Sequence, residues 1–374
     1  MITDGIGLYI HVPFCRSKCR YCDFASFPGL SDTAREEYLS ALVTEIKGYE
    51  RKNKIRVNSV FFGGGTPSLL SASDMKRVLD AVRSTFEISL GSEITVEANP
   101  KTVDKNKLFE YRALGINRLS IGLQSIHENE QKLLGRIHNF DDFLDTYQAA
   151  RAVGFGNISV DIMYAIPEQT EKSLGETLDA IIDLSPEHIS AYGLIIEEGT
   201  PFFEMKDSRP LPNEDTELSM YRLIREKLSS AGYSHYEISN YAKAGFECRH
   251  NLKYWRDEEY IGVGLAAYSY FEGVRYGNVR DMRSYVENPT SARAETDEIS
   301  ADDEAYEYAM MHLRLSDGFS LSEYSSRFGE DFLGKRAEKI KRYSSLGLLK
   351  VERDRLFLTE DGFYLSNSIM ADII

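Results

Sequence analysis

Short apolar and β-branched runs alternate with longer amphipathic stretches from the N-terminus to about residue 195. The alternation predicts strands at Gly7 to Val12, Ser59 to Phe62, Glu93 to Ala98, Arg118 to Leu123, Ile158 to Met163 and His188 to Gly193. Between them the apolar spacing turns helical. From about Asp32 to Tyr49, residues Tyr38, Leu39, Leu42, Val43, Ile46 and Tyr49 fall on one stripe, and Ser31 is placed to cap the first turn. Ser71 with Asp74 three residues on opens another helix, carrying Met75, Val78, Leu79, Val82 and Phe86. Six strand-then-helix units in succession predict a parallel sheet, because parallel neighbours need a crossover and the helices supply it.

The pattern changes past about residue 200. Ser208 to Asn213 is a turn-rich break, followed by a helical stretch from about Glu214 to Ala231. From near Asp302 a small module is expected. Tyr306, Met310, Met311 and Leu313 mark one helix, Phe332 to Leu346 another, and Leu348 to Leu358 a hairpin around Arg353-Asp354. The chain therefore reads as an α/β protein in three parts. Residues 1–200 form a partial (β/α)6 barrel of TIM type, 201–300 a barrel extension and linker, and 301–374 a helical, winged-helix-like domain.

Composition narrows the partners. The chain has 374 residues and a net charge of −15, which argues against a general affinity for nucleic acid. Winged modules often bind DNA, but residues 300–374 carry 14 acidic against 10 basic side chains, so a packing role is preferred. No apolar run approaches the roughly 20 residues of a membrane-spanning helix. Met1-Ile2-Thr3-Asp4 lacks the basic region of an export signal, and a cytoplasmic location is expected.

Three of the four cysteines, Cys15, Cys19 and Cys22, fall within eight residues just after the first predicted strand. Three thiolates on one loop bind three irons of a 4Fe-4S cluster and leave the fourth iron open, whereas a purely electron-carrying cluster takes four cysteines. Zinc completed by His11 or Cys248 is the alternative, and a disulfide is disfavoured in a chain without an export signal. The other unusual residues also fall at strand ends, the face where barrels of this type place their sites. Gly63-Gly64-Gly65-Thr66-Pro67 follows the second strand, where missing side chains let the backbone approach a ligand. Glu97, Gln124 and Asp161 stand in or beside apolar strands, where polar groups are costly unless paired or bound to ligand. Arg136, in Gly135-Arg136-Ile137-His138, is suited to a carboxylate, with a solvated surface position as its alternative. An open iron suits a ligand that chelates through an amine and a carboxylate, as S-adenosylmethionine does.

The Cys-x3-Cys-x2-Cys loop after a first strand resembles that of the radical S-adenosylmethionine (radical SAM) superfamily. Within it, Tyr9 to Cys15, Gly63 to Pro67, Ile121 to Ser125, Asp161 to Pro167, Tyr236 to Asn240 and Leu358 to Gly362 resemble the oxygen-independent coproporphyrinogen III oxidase group. The resemblance spans nearly the whole chain. It implies cluster ligands Cys15, Cys19 and Cys22, with Tyr21 beside the cluster. It also implies S-adenosylmethionine contacts at Tyr9, Gly64, Gly65, Thr66, Glu97, Gln124, Arg136 and Asp161.

Two departures separate the chain from the oxidase. Phe24 stands where that enzyme has a further cysteine, and the oxidase's segment before the first strand is absent. Both match the heme chaperone branch, HemW, whose His-Asn-x-x-Tyr-Trp motif is matched by His250 to Trp255. An imidazole is a natural axial ligand for heme iron and flat aromatic rings suit a porphyrin face; the branch resemblance implies that His250 is the heme contact. The bland readings are a hydrogen-bonded structural histidine and a core-filling Trp255. Cys248 is taken as a small buried residue.

The branch resemblance implies three cofactors: a 4Fe-4S cluster, S-adenosylmethionine and heme. It further implies delivery of heme to an acceptor, a respiratory protein met at the membrane surface, and is compatible with a homodimer. The rival function is oxidative decarboxylation of coproporphyrinogen III by a deoxyadenosyl radical. A radical enzyme acting on an unrelated substrate is the third reading.

Overall fold

The computed structural model describes residues 5–374. Met1 to Asp4, read above as lacking an export signal, lie outside the described residues. Strands β1 (Ile6–Val12), β2 (Arg56–Gly64), β3 (Glu87–Ala98), β4 (Arg118–Gln124), β5 (Ile158–Tyr164) and β6 (His188–Gly193) pair in parallel in that order. All six predicted strands are present. β3 starts six residues before its predicted beginning, because Ser89 to Ser92 bulge out of register and break the apolar pattern there.

Alternation along these strands sorts the side chains. Leu8, Ile10 and Val12 of β1, Val60 and Phe62 of β2, Ile94 and Val96 of β3, and Leu119 and Ile121 of β4 are buried in one apolar core. The helices cover this face. α1 (Asp32–Gly48) adds Tyr38, Leu39, Leu42 and Ile46, and Ser31 caps it by accepting from the Ala34 N–H. α2 (Ala72–Thr85) adds Met75, Val78, Leu79 and Val82 behind the predicted Ser71/Asp74 capping box. Each such buried side chain contributes roughly 1.5–3 kcal/mol relative to exposure. The other face of the strands carries Tyr9, Phe61, Glu97, Ser120, Asp161 and Ser190, and these line an internal cavity.

Residues 201–300 contribute more than a linker. β9 (Tyr260–Val263) pairs in parallel with β1 as a seventh parallel strand, and antiparallel β10 (Tyr268–Phe271), β11 (Val274–Asn278) and β12 (Arg293–Glu298) extend that edge. At the other edge β8 (Asn240–Ala242) pairs antiparallel with β6, and β7 (Ser234–Glu237) with β8. The twelve-stranded order is β12-β11-β10-β9-β1-β2-β3-β4-β5-β6-β8-β7, so the barrel is partial.

The last part builds a second core from Tyr308, Phe319, Tyr324, Phe332, Leu349, Leu356 and Ile369, joined by Tyr221 from the helix Glu214–Ser230. Its hairpin, Leu349–Glu352 with Arg355–Leu358, turns at Arg353, whose φ is +58°. The single helix predicted over Phe332 to Leu346 is two, Phe332–Lys335 and Ala337–Ser345. Arg336 breaks it: its Nε donates to the Ile373 carbonyl at 2.9 Å and its guanidinium lies 4.1 Å from the Phe332 ring centre.

One buried carboxylate ties α1 to the extension. Glu45 accepts from the Gly264 N–H at 2.7 Å, Asn278 Nδ2 at 2.7 Å and the Tyr285 hydroxyl at 2.6 Å. Glu45→Ala strands three buried donors, at about 1–3 kcal/mol each. We expect a loss of at least about 3 kcal/mol in urea unfolding, with Glu45→Gln costing less because its carbonyl keeps one acceptor. Equal stability of Glu45→Ala and the parent chain would contradict this.

Candidate functional site

A cavity of about 650 Å³ opens at the carboxyl ends of the parallel strands. Cys15, Cys19 and Cys22 line it, together with Tyr9, Tyr21, Gly64, Gly65, Thr66, Glu97, Gln124, Arg136, Asp161 and His250. Every site residue expected from the sequence thus converges on one space. Asn251 and Tyr254 of the motif at His250 line it too, as do Arg118, Phe61 and Tyr192, which were not expected. Phe24, at the departure from the oxidase, stands at its rim and is 65% exposed.

The cysteine loop is held from several sides. The Arg20 N–H donates to the Leu134 carbonyl at 3.0 Å, and the Phe27 N–H to the Pro13 carbonyl at 2.7 Å. His11 Nε2 donates to the Ala25 carbonyl at 2.8 Å and its Nδ1 meets the Tyr9 hydroxyl at 3.0 Å. Burial lowers the His11 pKa to about 4, so the ring is neutral and both nitrogens are engaged. Cys15 is buried, its Sγ 3.6 Å from Thr66 Oγ1. Among the described residues no three His, Cys, Asp or Glu side chains converge on a single metal ion. A cluster asks for no such convergence, since each thiolate takes its own iron. Cys248 is fully buried and outside the cavity lining, so neither it nor the engaged His11 offers zinc a fourth ligand.

The glycine loop is packed so tightly that side chains are excluded. Gly64 has φ +109°, and a Cβ there would lie 2.5 Å from the His11 ring; one on Gly65 would lie 2.7 Å from the Phe14 carbonyl oxygen. The Gly65 N–H donates to the Val12 carbonyl at 2.8 Å, and Thr66 Oγ1 accepts from Asn99 Nδ2 at 3.0 Å. Loop and cysteines therefore form one unit.

Across the cavity stand two carboxylates. Asp161 accepts from Ser120 Oγ at 3.0 Å and Ser159 Oγ at 3.2 Å. Glu97 is pushed up to about 8, first by burial and then by the Asp161 charge, so it holds its proton near neutrality. Arg136 is anchored rather than solvated, its Nη2 donating to the Gly122 carbonyl at 2.6 Å. Gln124 sits at φ +73°, where the backbone turns out of β4.

Beneath them runs a buried network. The Cys248 N–H donates to the Tyr236 hydroxyl at 3.1 Å, which lies 2.8 Å from His188 Nε2, and His188 Nδ1 lies 2.8 Å from Ser159 Oγ. Ser159 in turn donates to Asp161. All polar hydrogens in this series can point toward the carboxylate, which fixes His188 as the Nδ1–H tautomer. Arg118, 2% exposed, sits among Cys248, Glu93, Tyr236 and Asp161, whose combined field offsets the burial that opposes its charge. Its Nε finds no partner among the described residues.

The motif His250 to Trp255 lies on helix α3 (Arg249–Trp255). Glu93 accepts its first N–H groups, from Arg249 and His250, each at 3.2 Å. His250 is 1% exposed and stacks on Phe61 at 5.2 Å. Its Nδ1 lies 3.0 Å from Ser59 Oγ and its Nε2 2.8 Å from the Tyr254 hydroxyl. Burial lowers its pKa to about 3. Trp255 does not line the cavity; the Arg314 guanidinium lies 5.5 Å from its ring centre, on the side of the C-terminal core. Of the motif's two aromatic residues Tyr254 alone lines the cavity, and Phe61, Tyr9 and Tyr192 add aromatic surface there from the strands.

Family models match in two places: the radical SAM superfamily over residues 9–181 and the HemN C-terminal domain over 299–365. The heme chaperone HemW of Bacillus subtilis (strain 168) is 34% identical over 368 residues, covering 96% of this chain and 97% of that protein. The heme chaperone HemW of Escherichia coli (strain K12) is 34% identical over 378 residues, covering 98% and 97%. Among solved structures, the radical SAM enzyme coproporphyrinogen III oxidase (HemN) from Escherichia coli matches with a TM-score of 0.86 at 22% identity. That match spans 99% of this chain and 90% of that one. At that identity the likeness bears on the fold.

The carboxyl pair has a consequence for stability. Glu97 titrates at about 8 in the folded protein against an ordinary value of 4.5. Between those values the unfolded chain has released a proton that the folded protein retains, so this group makes stability fall as pH rises. Glu97→Gln removes the effect. In thermal melts of ligand-free protein at about pH 5 and about pH 8, the variant should gain on the parent at the higher pH. The same difference at both would show that Glu97 is ionised throughout.

Proposed function

Because the chain belongs to the HemW heme chaperone family within the radical SAM superfamily, we propose that it binds heme and hands it to an acceptor protein. The observation that carries this reading is the single cavity that the cysteine loop and the His250 helix line together. Cys15, Cys19 and Cys22 are the ligands we assign to a 4Fe-4S cluster. The chemistry such a pairing supplies when bound is reductive cleavage of the S-adenosylmethionine sulfonium.

The residues present fit these groups. Three thiols border one space, and the glycine loop borders it too, its backbone packed against His11 and Phe14 where no side chain fits. Tyr9, Tyr21, Gly64, Gly65, Thr66, Glu97, Gln124, Arg136 and Asp161 surround the space we assign to S-adenosylmethionine. For heme, His250 supplies a neutral imidazole at any physiological pH, and Phe61 and Tyr192 supply aromatic surface. The exchange is assigned to the cytoplasm, with a respiratory acceptor at a membrane surface. Among the described residues no helix is long and apolar enough to cross a membrane.

Parallel anaerobic titration of cluster-reconstituted protein with heme and with coproporphyrinogen III, in the presence of S-adenosylmethionine and reductant, tests the reading. Heme should bind and pass to an apo-acceptor, without steady formation of protoporphyrinogen. His250→Ala should weaken heme uptake by at least about tenfold, equivalent to 1.4 kcal/mol. Steady porphyrinogen turnover would establish the oxidase instead, and undiminished heme uptake by His250→Ala would remove that residue from the site.

A further inference from the structure

His250 sits on the cavity wall with both ring nitrogens already occupied, and the two occupants differ in kind. On the Nδ1 side is Ser59 Oγ at 3.0 Å, on a residue with no exposed surface in the middle of β2. The same edge of the ring lies against β1, where a Cβ on Gly7 would come within 3.2 Å of Cε1 and 3.3 Å of Nδ1. Nothing enters from that side.

Nε2 faces the other way and meets only the Tyr254 hydroxyl, at 2.8 Å. Tyr254 lies one helical turn further along α3, lines the cavity beside His250 and is partly exposed there. Its ring stands edge-on to His250 at 5.2 Å and to Tyr260 at 4.6 Å. The hydroxyl has no second partner among the described residues, so its displacement breaks one hydrogen bond rather than a network. A metal-binding histidine usually has one nitrogen donating to a fixed second-shell acceptor, which sets the tautomer and leaves a lone pair on the other. With Nδ1–H donating to Ser59 Oγ, Ser59 and Gly7 provide the fixed side and Tyr254 covers the lone pair on Nε2.

We propose that Tyr254 is a displaceable latch on His250: its hydroxyl occupies Nε2 in the empty protein and swings aside when heme iron takes that nitrogen. The inference rests on the heme reading above. No atom is gained or lost in the exchange, since the phenol keeps its proton, one N···H–O hydrogen bond breaks and one N–Fe bond forms. Tyr254 is a positioning residue that lowers heme affinity and makes heme retention conditional, as a carrier that must give up its cargo requires.

Two variants with opposite expected effects test this by hemin titration of the full chain, read by Soret absorption and stopped-flow mixing. Tyr254→Phe keeps the ring and removes the hydroxyl. It should bind hemin about fivefold more tightly and more quickly, the equivalent of one hydrogen bond of about 1 kcal/mol, with the wild-type Soret position. Ser59→Ala frees Nδ1 and should weaken binding, because the tautomer is no longer set. A merely structural role would move both in the same direction. Unchanged or weaker binding by Tyr254→Phe, or a shifted Soret band showing that the phenol itself ligates, overturns the latch. Absence of His250-dependent hemin uptake by the wild-type chain overturns instead the reading on which it rests.

Discussion

The helix that brings His250 into this site depends on one buried carboxylate, Glu93, inside the barrel. It accepts the first two N–H groups of α3 and the Cys248 thiol, 3.6 Å away, and so fixes the helix that carries His250 and Tyr254 against β3. An ionised carboxylate without such partners would cost several kcal/mol to bury. Here the positive end of a helix and the Arg118 guanidinium surround it, so the charges of the barrel floor compensate one another out of reach of bulk water. The same Arg118 lies beside Asp161 in the ligand space. Removing either charge therefore disturbs both the helix and the cavity floor.

This arrangement departs from a filled barrel. Interiors of closed β/α barrels are usually packed with layers of branched apolar side chains. In this chain the apolar half of each strand faces the helices, and the inner half carries serines, histidines and carboxylates. Hydrogen bonds between them leave room that apolar layers would have taken. The inner space is thus a consequence of strand composition, and the partial closure of the sheet gives it a mouth.

Much of this was legible beforehand, for identifiable reasons. β1 to β6 are long, β-branched and bounded by turns, and the caps at Ser31 and Ser71 use local hydrogen bonds that a sequence displays directly. The site residues converge because parallel strands deliver their ends to one face. β9 escaped notice because it has four residues, one of them Gly262, where a Cβ would overlap the Tyr268 carbonyl oxygen. Arg118 was missed as a site residue although its place follows from alternation, two residues before Ser120 on the inner face. What the motif at His250 does not display is which ring nitrogen is covered, since Ser59 and Tyr254 reach it from different elements.

Strand register also orders the two ligand regions. Gly7 pairs with Ser59 and Val12 with Gly64, so the His250 level and the glycine-loop level are five residues apart along β1, or roughly 17 Å at strand rise. His250 and the cysteine loop therefore lie at different depths of one cavity. Between them project Tyr9 and Phe61, stacked 6.4 Å apart, and each stacks on His250 as well. The Tyr9 hydroxyl bonds His11, whose other nitrogen holds Ala25 at the end of the cysteine loop. Tyr9, which stands between the two levels, is thus linked to the cysteine loop through His11.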